Sequence, residues 1–251
     1  MSGVGNDAEP RTVSTAYLVC ASQRSGTQLL CTSLEDTRVA GHPPGDLFDV
    51  GVAEYDDASR FLECVRRAVS AGTDDQGVCG QRMFWNGVER FCANARQHPS
   101  LHAASDRQVF ERLLGPSLHF VWLKRTDTLR QAISFWRATA GDHGGEQWRK
   151  PVDPGEPIST PPFDRGAIEK FVRLLSDQDV RWQEWFDRHD IEPIVVTYDE
   201  LLVDRPATIG RVLERLGFDP STAAHVGSPR VERQADASTD QYVEMYERGA
   251  D

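Results

Sequence analysis

Residues 16–37, AYLVCASQRSGTQLLCTSLEDT, constrain the fold more than any other stretch of the chain. A short β-rich apolar run (AYLVCA) breaks into a turn of small and polar residues. That turn opens at once onto apolar residues at helical spacing. The same grammar recurs downstream. Strands are predicted at 77–85, 118–125 and 192–198, and helices at 58–71, 128–140, 164–190 and 205–218. Strands alternating with helices predict an α/β fold, with a central, mostly parallel sheet flanked by helices. At 251 residues the chain is long enough for one large domain with a well-buried core. No internal repeat is visible.

The domain is expected over 15–251. The preceding residues 1–14 are polar and acidic, lack the apolar core of a signal peptide, and read as a flexible tail. Two stretches depart from the regular pattern. The segment 41–49 (GHPPGDLFD) reads as irregular. The segment 141–162 is rich in Gly and Pro and longer than a simple connection, which marks a functional loop or lid, with disorder as the competing explanation. Helices are predicted on both sides of each, so neither is a domain boundary.

Charge narrows the partners. The formal net charge is −11, which argues against nucleic acid, where affinity rests on neutralising many phosphates. A small anion remains compatible, because exposed charges beyond about 8 Å are screened and a few local arginines govern a pocket. No apolar run approaches the length of a membrane span. The five cysteines form no CxxC pair and read as reduced thiols of a cytoplasmic protein. The seven histidines form no cluster with them, so no structural zinc is expected.

The turn at 22–28 has the makings of an anion cradle. Backbone N–H groups at a helix N-terminus point outward, and the helix dipole favours negative charge. Gly26 permits close backbone approach, Ser22, Ser25 and Thr27 offer hydroxyls, and Arg24 offers a charged fork. A plain Ser/Gly helix cap accounts for the same residues without a ligand. The turn also lacks the Gly-Lys-[Ser/Thr] ending that serves Mg-ATP, since Thr27 and Gln28 follow Gly26. No predicted strand ends in a convincing metal-holding aspartate. A transferred group with less charge than phosphoryl, such as sulfuryl, would demand less of a metal. Further on, Arg125 stands at a strand end and Ser134 about two turns into the next helix, where ligands of open α/β sheets bind. Arg125 either meets Ser134 on one anion or is satisfied by Asp127.

Several blocks together resemble the bacterial trehalose 2-sulfotransferase family. They are YLVCASQRSGTQLLCTSL, VAGHP, GVCGQRMFWN, FVWLKRTDTLRQAISFWRA, EPIVVTYDELL and RVERQADASTDQYVEMY, in order from Tyr17 to Tyr246. The resemblance implies a P-loop-like sulfotransferase fold and 3′-phosphoadenosine-5′-phosphosulfate (PAPS) as sulfate donor, leaving 3′,5′-phosphoadenosine (PAP). It further implies that Arg24, Ser25, Gly26, Thr27 and Gln28 hold the 5′-phosphosulfate, and that Arg125 and Ser134 hold the 3′-phosphate. Arg233 and Gln234 would belong to a C-terminal loop over the nucleotide. The resemblance also suggests a homodimer.

Departures from the family pattern fall on the acceptor side. Where the family has Gly-Glu-Pro, with the glutamate as proposed general base, this chain has Gly41-His42-Pro43. An imidazole is well matched to proton removal near pH 7, so His42 is a candidate base, or else it lines the pocket. Asp46 or Asp49 are the alternative carboxylates. Arg82 stands where the family commonly has lysine, either stabilising developing charge or pairing on the surface. Trp85, Trp136 and Trp148 are candidates to pack against a sugar or aglycone, with core packing the commoner use of tryptophan. The Tyr198-Asp199-Glu200-Leu201 corner reads as structural. The expectation is a cytoplasmic, metal-independent, PAPS-dependent sulfotransferase acting on a hydroxyl of a sugar or glycosylated small molecule. The rival readings are a nucleotide-dependent small-molecule kinase and a catalytically silent nucleotide-binding homologue.

Overall fold

Strand β1 (Thr15–Ala21) is buried beyond its first residue and has a parallel neighbour on each side. The computed structural model describes residues 12–43, 47–115, 117–140, 161–228 and 237–249. Its four strands are β1, β2 (Val78–Phe84), β3 (Leu118–Lys124) and β4 (Ile194–Thr197), in the spatial order β2-β1-β3-β4, every pairing parallel. Ala21 lies level with Phe84 and Leu123, so three strand ends meet at one height. From β1 the chain crosses to one side to make β2, then back past β1 to make β3. The carboxyl end of β1 is therefore the switch point, where open α/β sheets have their ligand crevice.

Alternation along β1 supplies both faces of the sheet. Tyr17, Val19 and Ala21 pack with α1 (Thr27–Asp36), α8 (Tyr198–Val203) and α9 (Arg205–Leu216). Ala16, Leu18 and Cys20 pack with α2 (Leu47–Val52), α3 (Ala58–Gly72), α4 (Trp85–Arg96), α5 (Asp106–Leu114) and α7 (Arg165–Arg188). A third cluster joins α6 (Thr128–Ala140) to α7 and α10 (Ala237–Glu247) through Ile133, Trp136, Ile168, Leu175 and Tyr242. The result is a single α/β domain with helices on both faces of a four-stranded parallel sheet. Ser14 is already tied to this frame, donating its N–H to the Gly77 carbonyl at 2.9 Å.

Local chemistry explains the element boundaries. Asp57, Asp164 and Asp204 cap α3, α7 and α9 with their side chains, and Gly217 ends α9 in the left-handed region. Ser105 with Gln108, and Thr197 with Glu200, form reciprocal capping boxes on α5 and α8. The second box corrects the strand predicted over 192–198. Thr197 stops β4 by capping a helix, and Tyr198 is that helix's first residue. The irregular stretch predicted over 41–49 is likewise shorter than expected, since α2 begins at Leu47. Helix α4 follows β2 with no residue between them.

Candidate active site

The turn after β1 is built to leave donors unspent. Arg24 has φ of 63° and Gly26 φ of 98°, both in the left-handed region, which is strained for arginine. Gly26 is the N-cap of α1, as the plain Ser/Gly cap expects, and no side chain accepts from the first helical N–H groups. The Ser25 hydroxyl is fully buried and has no hydrogen-bond partner. A buried hydroxyl of this kind is completed by water, an ion or a ligand, or marks strain. A Cβ at Gly26 would lie 2.5 Å from Cδ2 of Tyr198, so the ring of α8 forms one wall of the turn.

Neighbouring elements hold this turn in place. Gln131 of α6 donates to Ser22 Oγ at 2.9 Å and to the Gln23 carbonyl at 2.7 Å. Trp182 of α7 donates to the Ala21 carbonyl at 3.0 Å. Arg24 Nε donates to Ser134 Oγ at 3.0 Å, and Arg125 donates to the Arg24 carbonyl at 3.2 Å. The Arg125 guanidinium sits over the Tyr198 ring, 4.8 Å from its centroid. Arg24, Arg125 and Ser134, far apart in sequence, are thus brought together. Gln28 is exposed on the first turn of α1.

The electrostatics of this turn are those of crowded, buried guanidiniums. Arg24 is pulled down to about 10, first by burial and then by the charges of Arg125 and Arg137, with Tyr198 opposing. Burial also lowers Arg125, against the influence of Tyr198, Asp127 and Asp199. Arg137 is buried on α6 and donates to Thr239 Oγ1 of α10 at 2.9 Å. Gathering guanidiniums out of water is costly unless an anion joins them. Behind the turn, burial raises the carboxyl of Asp179, which contacts the Ser22 hydroxyl.

A second group of residues lies along α1 and the edge strand β2. The Arg82 guanidinium sits 5.8 Å from the Phe84 ring centroid, and its Nε is buried without a hydrogen-bond partner. Cys31 of α1, raised to about 12 chiefly by burial, feels both Arg82 and Glu35. Glu35 in turn meets His42, with Nδ1 and Oε1 3.2 Å apart. His42 is exposed while Gly41 and Pro43 on either side are buried. Asp49 is exposed in the first turn of α2.

The tryptophans divide. Trp136 is buried in the third core cluster, edge-on to Tyr242 at 5.1 Å. Trp85 is half-buried, edge-on to Trp182 at 5.1 Å. Asp46, Trp148, Arg233, Gln234 and most of the segment 141–162 lie outside the described residues. Sequence reasoning missed Gln131, Arg137, Glu35 and the role of Tyr198 as a wall. Gln131 and Ser134 are three apart on one helix face, a signal that was available. Glu35 and Tyr198 carried none, because their partners come from other parts of the fold.

No helix among the described residues is long and apolar enough to cross a membrane. No group of three or more His, Cys, Asp or Glu among them could hold a metal ion. The five cysteines are free thiols.

Comparison with known proteins gives this geometry its context. The trehalose 2-sulfotransferase of Mycolicibacterium smegmatis is 32% identical over 267 residues, covering 94% of this chain and 96% of the relative. That of Mycobacterium tuberculosis is 31% identical over 260 residues, covering 92% and 93%. Residues 16–249 match the Stf0 sulphotransferase family. The chain therefore belongs to the Stf0 sulphotransferases, a family of enzymes.

Proposed function

We propose that this enzyme transfers the sulfuryl group of PAPS to a hydroxyl of a sugar or glycoside by in-line displacement. The observation that carries the reading is the N-terminus of α1, which no side chain caps, with the buried, unpartnered Ser25 hydroxyl beside it and Arg125 bonded to Arg24 in the same turn. Backbone N–H groups of the first helical turn, the Ser25 and Thr27 hydroxyls and Arg24 suit the 5′-phosphosulfate. Arg125 and Ser134 suit the 3′-phosphate. The bond between Arg24 and Ser134 supports two subsites that adjoin. Arg233 and Gln234 are assigned to the same nucleotide from the family resemblance alone.

In the reaction the acceptor oxygen attacks sulfur and the bond from sulfur to the bridging phosphate oxygen breaks. His42 takes the acceptor proton. Arg24 and the helix amides stabilise charge that grows on the departing phosphate, and Arg82 assists on the side of the transferring group. The relatives are trehalose 2-sulfotransferases, which makes trehalose the first acceptor to try. The half-exposed Trp85 suits an acceptor wall better than Trp136, which is committed to the core.

The test pairs binding with turnover. PAP should stabilise the protein against heat while Mg-ATP does not, and labelled sulfate should pass from PAPS to trehalose or to a member of a glycoside panel. Stabilisation by Mg-ATP alone would favour the kinase reading. Strong PAP binding with no transfer to any acceptor would favour a silent homologue.

A further inference from the structure

The contact between Glu35 and His42 has no role in the scheme above, and it is the most informative feature of the acceptor side. Glu35 is in the last turn of α1, and His42 follows the loop that leaves it. Side-chain exposures of 28% and 48% show a pair at the surface, not in the core. The backbone that carries the imidazole, by contrast, is clamped. His42 N–H donates to the Gly72 carbonyl at 2.9 Å, and Gly41 N–H donates to Asp74 Oδ2 at 3.1 Å. Gly41 has φ of 64°, and a Cβ there would meet the Val78 carbonyl oxygen at 2.4 Å. Pro43 packs against Gly80, where an added Cβ would lie 2.9 Å from the proline Cα. A rigid backbone presenting an exposed titratable side chain is the arrangement expected where placement of that side chain matters.

The chemistry of the pair settles which nitrogen does what. An ionised carboxylate only accepts hydrogen bonds, so at 3.2 Å the imidazole nitrogen facing Glu35 must be Nδ1–H. In the neutral ring that leaves Nε2 with the lone pair, turned away from Glu35. The hydrogen bond made by one ring nitrogen sets the state of the other. A neutral histidine side chain in water prefers the opposite tautomer, with the proton on Nε2, which cannot act as a base there.

We infer that Glu35 is the positioning residue of the acceptor side, forming a carboxylate–imidazole dyad that holds His42 with Nε2 unprotonated toward the acceptor hydroxyl. The inference rests on the proposed role of His42. As the oxygen–sulfur bond forms and the sulfur–bridging-oxygen bond breaks, the acceptor proton passes to Nε2. Nδ1 keeps its own proton, Glu35 stays ionised against the imidazolium, and the proton on Nε2 leaves to water after the product departs. No oxidant, reductant or metal enters the balance.

A simpler role is available. A histidine near the end of α1 offsets the negative end of the helix dipole together with the Glu35 charge, and this would affect stability alone. The experiment must separate the two roles. In the full-length protein, the imidazole nitrogens of His42 are read by 15N NMR above the pH at which the ring is protonated, in wild type and in Glu35→Ala. The dyad predicts a pyrrole-type Nδ1 in wild type and a shift toward the Nε2–H form in the variant. In parallel, kcat and KM for PAPS are measured with trehalose, or with the best acceptor of the panel. Glu35→Ala should lower kcat at least tenfold with KM for PAPS unchanged, and should add nothing in a His42→Ala background.

Separate results sink separate claims. If His42→Ala keeps wild-type kcat, the base role fails and the dyad falls with it. If His42→Ala loses kcat but Glu35→Ala keeps both kcat and the wild-type tautomer, only the dyad fails. The NMR measurement needs no acceptor: an unchanged tautomer in Glu35→Ala overturns the positioning role even if no turnover is found.

Discussion

The two regions proposed to serve donor and acceptor, the turn after β1 and the α1–β2 side, are built on different principles. Around the turn after β1, side chains from α6, α7 and α8 converge on a few buried residues, Arg125 bonds to the Arg24 carbonyl, and Arg24 bonds to Ser134. Along α1 and β2 the backbone is equally well held, but the chemistry is carried by side chains that reach outward from it. The first region is therefore expected to be the less tolerant of substitution, and the second to accept exchange of its outward side chains with the frame intact.

The comparison breaks most sharply at Arg24. If Arg24 holds the donor as proposed, Arg24→Ala removes about two charge-assisted hydrogen bonds, each worth about 1.5–3 kcal/mol. kcat/KM for PAPS should fall about 10³-fold, and isothermal titration should show PAP affinity falling with it. An Arg24→Ala enzyme with wild-type PAP affinity would mean that the donor lies elsewhere. His42→Ala should split the two halves the other way. Its kcat should drop about 10²-fold, within the usual range of a general base, while the PAP dissociation constant stays within about twofold of wild type.

The third expectation concerns pH. Because burial and its neighbours bring Arg24 down to about 10, the side chain is charged at neutral pH and loses its proton above that value. Its contribution to anion binding is present below about pH 10 and lost above it. PAP affinity should weaken by up to about tenfold per pH unit as pH rises from about 10 to 11, with Arg24→Ala as the flat control. PAP at about a hundred times its dissociation constant should add about 2.7 kcal/mol of stability at pH 7.5. Calorimetry would read that as a rise in Tm of roughly 5–10 °C.

The smallest effect sits behind the turn. Burial raises the Asp179 carboxyl, so its favourable contribution is present at low pH and lost as pH rises through its folded value. Asp179→Asn keeps a polar contact to Ser22 without the buried charge. It should stabilise the protein by about 1 kcal/mol at pH 8 and by much less at pH 4. Equal effects at both pH values would show that charge burial is not the cause.

How far the sequence disclosed this architecture depends on how local each signal is. The four strands and the helices at 58–71, 128–140, 164–190 and 205–218 are visible because periodicity accumulates over their length. Helix α8 has six residues, too few to show a period, and its existence depends on the capping box of Thr197 and Glu200. The cradle is legible because Arg24, Ser25, Gly26 and Thr27 are neighbours in the chain. Arg125 and Ser134 are legible by their place on elements. The wall made by Tyr198 is not, because it follows from α8 folding back over Gly26. Nor is the partnership of Glu35 and His42, which depends on how the loop after α1 returns past its last turn.

The clamp around Gly41 and Pro43 bears on how such an enzyme diversifies. Since neighbouring backbone fixes position 42, its side chain is a replaceable tool in a fixed holder. The holder is shared with Glu35, however. A carboxylate at 42, as in the Gly-Glu-Pro of the resembling family, would meet the Glu35 carboxylate, and two like charges so close cannot both ionise freely. A histidine answers that neighbour and a glutamate does not. Positions 35 and 42 should therefore change hands as a pair across the lineage, each choice of base carrying its own choice of companion.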